Sequence, residues 1–189
     1  MNRWLQATLF IFCLQSVQVV GATLINVNVE QHGDNYKLHV EARINAKIND
    51  VKRIITDYEN LPSINPYLKK SKITSTSKDS QTTVSMLTEA CVLFICFKIK
   101  HEQVFQLIGT DIVYGQIIPE LSDFKKGWTR WTIKEDSVTD MKQAQTLVIL
   151  DGEMTPDFFI LPIIGPYHLK KKILEIATIT INNLEKKAQ

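Results

Sequence analysis

AKINDVKRIITDYENLPSINPYLKKSKI, residues 46–73, is the stretch where the pattern of the chain changes from strand to helix and back. Asn49 and Asp50 are both residue types that favour the N-cap of a helix. Behind them, apolar side chains recur at helical spacing, at Val51, Ile54, Ile55 and Tyr58. Asn60 is suited to cap a second short turn, which Pro66 ends. The stretch therefore predicts two short helices followed by a new strand.

A β-hairpin is predicted immediately before these helices. Residues 24–30 alternate between apolar and polar side chains, which is the period of a half-buried strand. His32, Gly33, Asp34 and Asn35 supply turn residues. Residues 36–44 then alternate again, so the second strand has one apolar and one charged face.

After the helices, the pattern predicts several strands and then one long helix. The strands are expected at 69–76, 82–99 (as one or two strands), 104–107, 112–118, 128–133 and 144–150. Their short connections favour an antiparallel meander. The last segment carries apolar residues near the 3.6-residue period, at Leu169, Ile173, Ile176, Ala177, Thr180 and Leu184. Charged residues, Glu185 among them, are assigned to its polar side. No linker interrupts the pattern, so residues 23–189 are expected to form a single domain.

This order of elements resembles that of the START-like superfamily, also called SRPBCC. Residues 46–73 are similar to the opening of its polyketide cyclase/dehydrase and coenzyme Q-binding branch, in which a helix ends in Asp-Tyr-x-x-x-Pro. Here those positions are Asp57, Tyr58 and Pro62. LPIIGPYHLKKKILEIATITINNLEKKA, residues 161–188, is similar to the terminal helix and the loop before it. The resemblance implies an α+β, helix-grip fold: a curved antiparallel sheet wrapped around a long C-terminal helix, with two short helices after the first hairpin.

The resemblance also implies an apolar cavity between the sheet and the last helix, since members of the superfamily carry lipids, quinones, sterols or polyketides. A physical argument leads to the same cavity, because a strongly curved sheet cannot lie flush against a straight helix. The expected function is binding or transport of a lipid or an isoprenoid quinone. The candidate ligand-binding residues come from the helix stripe and the loop before it: Phe158, Phe159, Ile173, Ile176, Ala177 and Thr180.

TPDFFILPIIGP, residues 155–166, is an unusually apolar loop. Its prolines and glycine prevent a long helix or a central strand. Two interpretations stay open: residues 158–161 cap the entrance of the cavity and touch a membrane surface, or they fold over the edge of the sheet as a small satellite core. Lys170, Lys171 and Lys172 follow at the expected start of the helix. Two interpretations of these lysines stay open. They hold anionic lipid headgroups, or they only make the surface of the protein soluble.

Two other functions compete with the carrier. The first is a cyclase- or dehydrase-like enzyme that uses a cavity carboxylate, Glu120 or Asp123, from PELSDFKKGWTRW at residues 119–131. The second is an envelope interaction module that docks through residues 158–161. Arg43 would pair a lipid headgroup or would lie on the outer face of the sheet. No catalytic residue is assigned, and the four histidines have no metal-like spacing, so neither a metal nor a cofactor is expected.

Composition and the N-terminus bear on the location of the protein. The 22 basic and 20 acidic residues nearly balance, which excludes the basic surface of a nucleic-acid binder. Arg3, an apolar stretch, and small residues ending at Ala22 are typical of a signal peptide, residues 1–22, cleaved after Ala22. The alternative is an uncleaved anchor. We expect an exported bacterial protein, periplasmic or secreted and monomeric, with transient contact to a membrane surface.

Cys91 and Cys96 are the two cysteines beyond that leader. Residues 82–99 can form one continuous strand, in which five residues span ~16 Å, too far for the ~7 Å limit between the Cα atoms of a disulfide. Two buried, inert thiols are therefore expected, and a disulfide remains the alternative if the chain bends between them.

Overall fold

The computed structural model describes residues 22–77, 79–92, 95–136 and 144–189. These residues form a sheet of eight strands, two α-helices and two short 3-10 helices. The predicted signal peptide, residues 1–22, lies outside them except for Ala22. The strands are β1 (Thr23–His32), β2 (Asn35–Ile44), β3 (Leu68–Thr76), β4 (Thr82–Val92), β5 (Ile95–Ile108), β6 (Ile112–Ile117), β7 (Phe124–Glu135) and β8 (Thr146–Pro156). The helices are α1 (Ile48–Thr56) and α2 (Gly165–Ala188), and the 3-10 helices are Tyr58–Ser63 and Pro119–Leu121.

The sheet is antiparallel throughout, with the strand order β1-β2-β8-β7-β6-β5-β4-β3. Strands β3 to β8 form the predicted meander, and the N-terminal hairpin adds to its last strand. At the turn of that hairpin, Gly33 has a φ of +61°, a conformation that glycine adopts without steric cost. Because β2 and β3 lie far apart in the sheet, α1 and the first 3-10 helix make the connection between them.

The first helix buries the apolar residues that its spacing predicts, namely Val51, Ile54 and Ile55. It begins at Ile48, however, and its N-cap is Lys47, which makes no side-chain cap. The predicted cap at Asn49 or Asp50 is therefore wrong. The carbonyl of Lys47 already accepts the N–H groups of Asp50 (3.0 Å) and Val51 (3.2 Å). Asp50 lies instead in the first turn, where its charge favours the helix dipole.

The long helix α2 lies inside the curve of the sheet. It contacts β1, β2 and β4, which stand near opposite ends of the strand order. One straight helix can touch both ends only because the sheet curls around it. Its inner face buries Ile173, Ala177, Thr180, Ile181 and Leu184, largely as the sequence predicts.

Glu185 departs from that prediction, since it is 1% exposed and not on the polar side of α2. Its Oε1 accepts hydrogen bonds from the backbone N–H of Asn45 (3.0 Å) and from Asn45 Nδ2 (2.8 Å). Its Oε2 is buried without a partner among the described residues, so the two bonds to Oε1 offset only part of the cost of burying this group. The contact joins the C-terminal end of α2 to the residue that follows β2.

Cys91 and Cys96 form a disulfide, so the expectation of buried, inert thiols is wrong. Residues 82–99 are not one strand: β4 ends at Val92 and β5 begins at Ile95, and the two strands pair with each other. Cys91 is directly opposite Cys96 in this ladder, with 3.9 Å between their Cα atoms. Both cysteines are exposed, so the disulfide is a surface bridge across a hairpin.

Candidate functional site

A cavity separates the inner face of the sheet from α2. The cavity has a volume of about 260 Å³, many times what one water molecule needs. Its walls are mainly apolar side chains and come from β2, β4, β5, β6, β7, β8 and α2. A large apolar pocket with few polar groups is the usual form of a small-molecule site in proteins.

Most of the ligand-binding residues predicted from the sequence lie on this cavity. Ile173, Ile176, Ala177 and Thr180 of α2 form one wall, and Phe158 contributes to another. Phe159 is not part of the lining, and it is 70% exposed. The two neighbouring phenylalanines thus face different environments, Phe158 the cavity and Phe159 the solvent.

Phe158 belongs to the segment of residues 157–164 that joins β8 to α2. Its ring lies 5.2 Å from that of Phe97 on β5 and 6.1 Å from that of Phe124 on β7. These three aromatic residues all line the cavity. The segment therefore packs over one end of the cavity with Phe158, while Phe159 points to solvent.

His101 is a polar residue of the cavity wall that was not among the ligand-binding residues predicted from the sequence. It lines the cavity from β5, and its ring meets that of Phe124 edge-on at 5.7 Å. Its Nδ1 is buried without a hydrogen-bond partner among the described residues. Burial lowers the pKa of His101 to about 4, although the nearby charge of Asp123 acts in the opposite direction. The imidazole is therefore neutral near pH 7.

The sequence contained a signal for this position. Phe97 and Ile99 are apolar, whereas Lys98, Lys100 and Glu102 alternate with them. A period of two puts His101 on the same face as the apolar residues. Gln103 follows on that face, is 6% exposed, and accepts a 3.4 Å hydrogen bond from Thr129 Oγ1 through its Oε1.

The charged residues on the lining are Lys172 and Glu153, and both have partners. Lys172 donates a 2.7 Å hydrogen bond to Glu175 Oε2, which raises the pKa of the lysine. Glu153 accepts a 2.9 Å bond from Asn35 and lies 3.5 Å from the ammonium of Lys126. Neither residue offers the cavity an unpaired charge.

The carboxylates considered for catalysis lie elsewhere. Glu120 is exposed in the second 3-10 helix. Asp123 accepts a 2.7 Å hydrogen bond from the backbone N–H of Lys100, which ties the start of β7 to β5. Neither is among the described residues that line the cavity. Arg43 lies on the outward face of β2, where it forms an ion pair with Asp136.

The lysine run lies further along α2 than the sequence suggested. Because the helix begins at Gly165, Lys170 to Lys172 fall in its second turn and do not form its N-terminus. Lys170 and Lys171 are exposed, next to the segment of residues 157–164. That segment also exposes Ile163, which is 92% accessible and has a φ of +70°.

The described residues also bear on two other features, a metal site and a membrane-spanning helix. In these parts of the chain, no group of three or more His, Cys, Asp and Glu side chains is arranged to hold a metal ion. None of the helices described has both the length and the apolar character needed to cross a bilayer.

Comparison with known proteins identifies the architecture. No family model and no curated protein matches the chain. Solved structures do match, among them a START superfamily protein from Mycobacterium smegmatis, with a TM-score of 0.63 and 18% identity over 80% of this chain and 96% of that one. A STAR-related lipid transfer protein from Xanthomonas axonopodis gives 0.61 and 14% identity, over 88% of this chain and 98% of that one. The Zhui aromatase/cyclase from Streptomyces sp. R1128 gives 0.60 and 11% identity, over 82% and 93%.

These likenesses extend over nearly the whole of the matched chains, while the identities stay low. They agree with the order of elements, with the curl of the sheet around α2 and with the cavity between them. The fold predicted from residues 46–73 and 161–188 is thus confirmed: the chain has the START-like, helix-grip fold.

Proposed function

We propose that this protein binds and carries a hydrophobic small molecule, a lipid or an isoprenoid quinone, in the cavity between the sheet and α2. The observation that carries the proposal is the cavity itself, about 260 Å³ of space behind mainly apolar walls. Structures of the same fold include one named as a lipid transfer protein and one named as an aromatase/cyclase. The carrier is preferred over the enzyme because Glu120 and Asp123 lie outside the described lining.

Affinity in such a cavity comes mainly from burial of the ligand. Each methylene moved from water to an apolar wall contributes ~0.8 kcal/mol. Ile173, Ile176 and Ala177 give the ligand a continuous aliphatic surface along α2. A long acyl or isoprenoid chain therefore gains affinity with every carbon that the cavity accepts.

The segment of residues 157–164 supports contact with a membrane surface during loading. Phe159, Ile163 and Ile164 are 70%, 92% and 48% exposed, and exposed apolar patches mark sites of contact with membranes or proteins. Lys170 and Lys171 are exposed beside them, and a basic residue near an anionic bilayer contributes ~1 kcal/mol. The segment would insert its apolar tip while the lysines hold the headgroups.

Export also remains part of the proposal, in the form of a signal peptide cleaved after Ala22 and a periplasmic or secreted protein. The exposed Cys91–Cys96 disulfide supports it, because disulfides persist in oxidising compartments and are rare in the cytosol.

The decisive test is native mass spectrometry of protein purified without detergent, followed by organic extraction. We expect a bound species of lipid or quinone mass that is released on denaturation. A ligand-free mass that stays unchanged after incubation with envelope lipids would refute the proposed carrier function.

The membrane contact needs its own test, with vesicles of phosphatidylglycerol or of phosphatidylcholine and a flotation assay. The variants are Phe159→Ser with Ile163→Ser, and the matched control is Leu107→Ser, which is 58% exposed in the wild type. Leu107 lies ten residues along β5 from Phe97, roughly 33 Å at the rise of a strand. We expect the double variant to lose flotation with phosphatidylglycerol while the control keeps it. Equal flotation of both variants would contradict the role of this segment.

A further inference from the structure

One polar side chain in the wall of the cavity has a buried nitrogen that no described residue hydrogen-bonds. Nδ1 of His101 has no partner among the described residues, although the ring lies in the wall of the cavity. A buried polar atom without a partner is destabilising, because it has given up its hydrogen bonds to water and gained none in return. A protein core would ordinarily fill this position with an apolar residue, so the imidazole calls for an explanation outside the protein's own contacts.

The surroundings of His101 limit which chemistry it can recognise. The ring packs against Phe124, which in turn contacts Phe158, so two aromatic side chains lie on that side. The nearby charge of Asp123 acts on the ring, but Asp123 is not among the described residues that line the cavity. Because burial holds the pKa of His101 at about 4, the ring carries no charge near pH 7. A neutral imidazole has one N–H donor and one acceptor nitrogen. It suits a hydroxyl or carbonyl group, and it lacks the positive charge that would offset a buried carboxylate or phosphate.

The polar neighbours on the same face of the sheet are also neutral. Gln103 follows His101 on β5 and is bonded through its Oε1 to Thr129, which leaves its amide group as a donor. The charged lining residues, Lys172 and Glu153, are already paired. The described wall thus presents neutral hydrogen-bonding groups to the ligand and no unpaired charge.

We infer that the ligand carries a neutral hydroxyl or carbonyl group on its apolar body, and that His101 binds this group at the end of the cavity closed by Phe158. This inference rests on the proposed function, since it concerns the ligand of the same cavity. It favours neutral lipids with a single polar group over fatty acids and phospholipid headgroups.

The test compares three probes with the same carbon chain: dodecane, dodecanol and dodecanoate at neutral pH. Each probe displaces the fluorescent hydrophobe N-phenyl-1-naphthylamine from the purified protein. One hydrogen bond from the cavity is worth on the order of a tenfold gain in affinity. Because the hydroxyl group also loses its hydrogen bonds to water, the informative quantity is the dodecanol-to-dodecane affinity ratio in proteins with and without the imidazole. We expect this ratio to be about tenfold higher in the wild type, and dodecanoate to bind the wild type more weakly than dodecanol.

The variant His101→Leu removes the hydrogen bond and keeps an apolar wall. We expect its dodecanol-to-dodecane affinity ratio to be about tenfold lower than that of the wild type, whatever its affinity for dodecane alone. A second measurement needs no variant: dodecanol, but not dodecane, should shift the ¹⁵N resonances of the His101 ring. This covers the case in which His101→Leu does not fold.

The outcomes separate the inference from the proposed function. If the fluorophore and dodecane do not bind, the carrier itself is refuted, and the inference falls with it. If His101→Leu keeps the wild-type dodecanol-to-dodecane affinity ratio, or the ¹⁵N resonances do not respond, the cavity is a carrier site and the role of His101 is wrong. Tighter binding of dodecanoate than of dodecanol would likewise overturn it, because the site would then prefer an anion.

Discussion

Replacing His101 by Phe should flatten the dependence of stability on pH, because the buried imidazole binds its proton more weakly in the folded protein than in the unfolded chain. The pKa is lowered from 6.5 to about 4. The stability that this histidine contributes is therefore fully present above pH 6.5, and it is lost as the pH falls towards 4. Near pH 5 the unfolded chain is almost fully protonated at this residue and the folded protein is not. The loss by then is about 2 kcal/mol, worked from ~1.4 kcal/mol per pKa unit.

The phenylalanine keeps an aromatic ring at the position that meets Phe124 at 5.7 Å, so the packing of the two proteins stays comparable. Urea unfolding of ligand-free wild type and of His101→Phe at a series of pH values gives two curves. Other titrating groups are common to both, so the difference between the curves isolates His101. We expect this difference to change by about 2 kcal/mol between neutral pH and roughly pH 5. Parallel curves would show that the imidazole is not desolvated, and the argument for a neutral, unpartnered ring would fail.

Three further changes test the fold. Replacing Cys91 and Cys96 by Ser should cost about 2 kcal/mol, because the bridge closes a loop of only about six residues; urea unfolding with and without reductant measures the same loss, and an unchanged midpoint would contradict it. Gly127→Ala should cost ~1–3 kcal/mol, because the new Cβ would lie 2.6 Å from Ile117 Cδ1 and 2.9 Å from a backbone carbonyl of β8; a melting temperature equal to that of the wild type would refute this. Glu185→Ala should lower stability by ~2 kcal/mol, because it removes the acceptor for the two hydrogen bonds from Asn45. Glu185→Gln keeps an oxygen at this position and should cost less. Equal melting temperatures for the two variants would show that these hydrogen bonds contribute nothing.

Local patterns in the sequence predicted the elements that are governed by local rules. The N-terminal hairpin, the short helix and the apolar stripe of α2 follow from alternation, from helical spacing and from turn residues. The strand pattern fails at Cys91 and Cys96, because residues 82–99 contain no Gly, Pro, Asn or Asp to indicate a reversal. The pairing of β4 with β5 is a tertiary choice, which a continuous apolar run does not reveal.

The cavity was predictable only in outline. The same 3.6-residue period places Ile173 and Ala177 on the inner face of α2, whether that face touches protein or ligand. Which part of the stripe packs and which part lines a space depends on the curl of the sheet. His101 could have been placed by alternation along β5, but its missing partner depends on what β7 and residues 157–164 bring next to it.

Two of the locally unfavourable features among the described residues lie on either side of the segment of residues 157–164. Another, the buried Oε2 of Glu185 without a described partner, lies near the C-terminal end of α2. Inside, His101 keeps a buried nitrogen without a partner beside Phe124 and Phe158. Outside, Ile163 is 92% exposed and has a φ of +70°, which a β-branched residue rarely adopts. Either feature alone would be removed by a single substitution, such as a glycine at 163 or an apolar residue at 101. Locally unfavourable residues tend to persist where function requires them, and the proposed binding of a ligand at this end of the cavity would supply such a requirement.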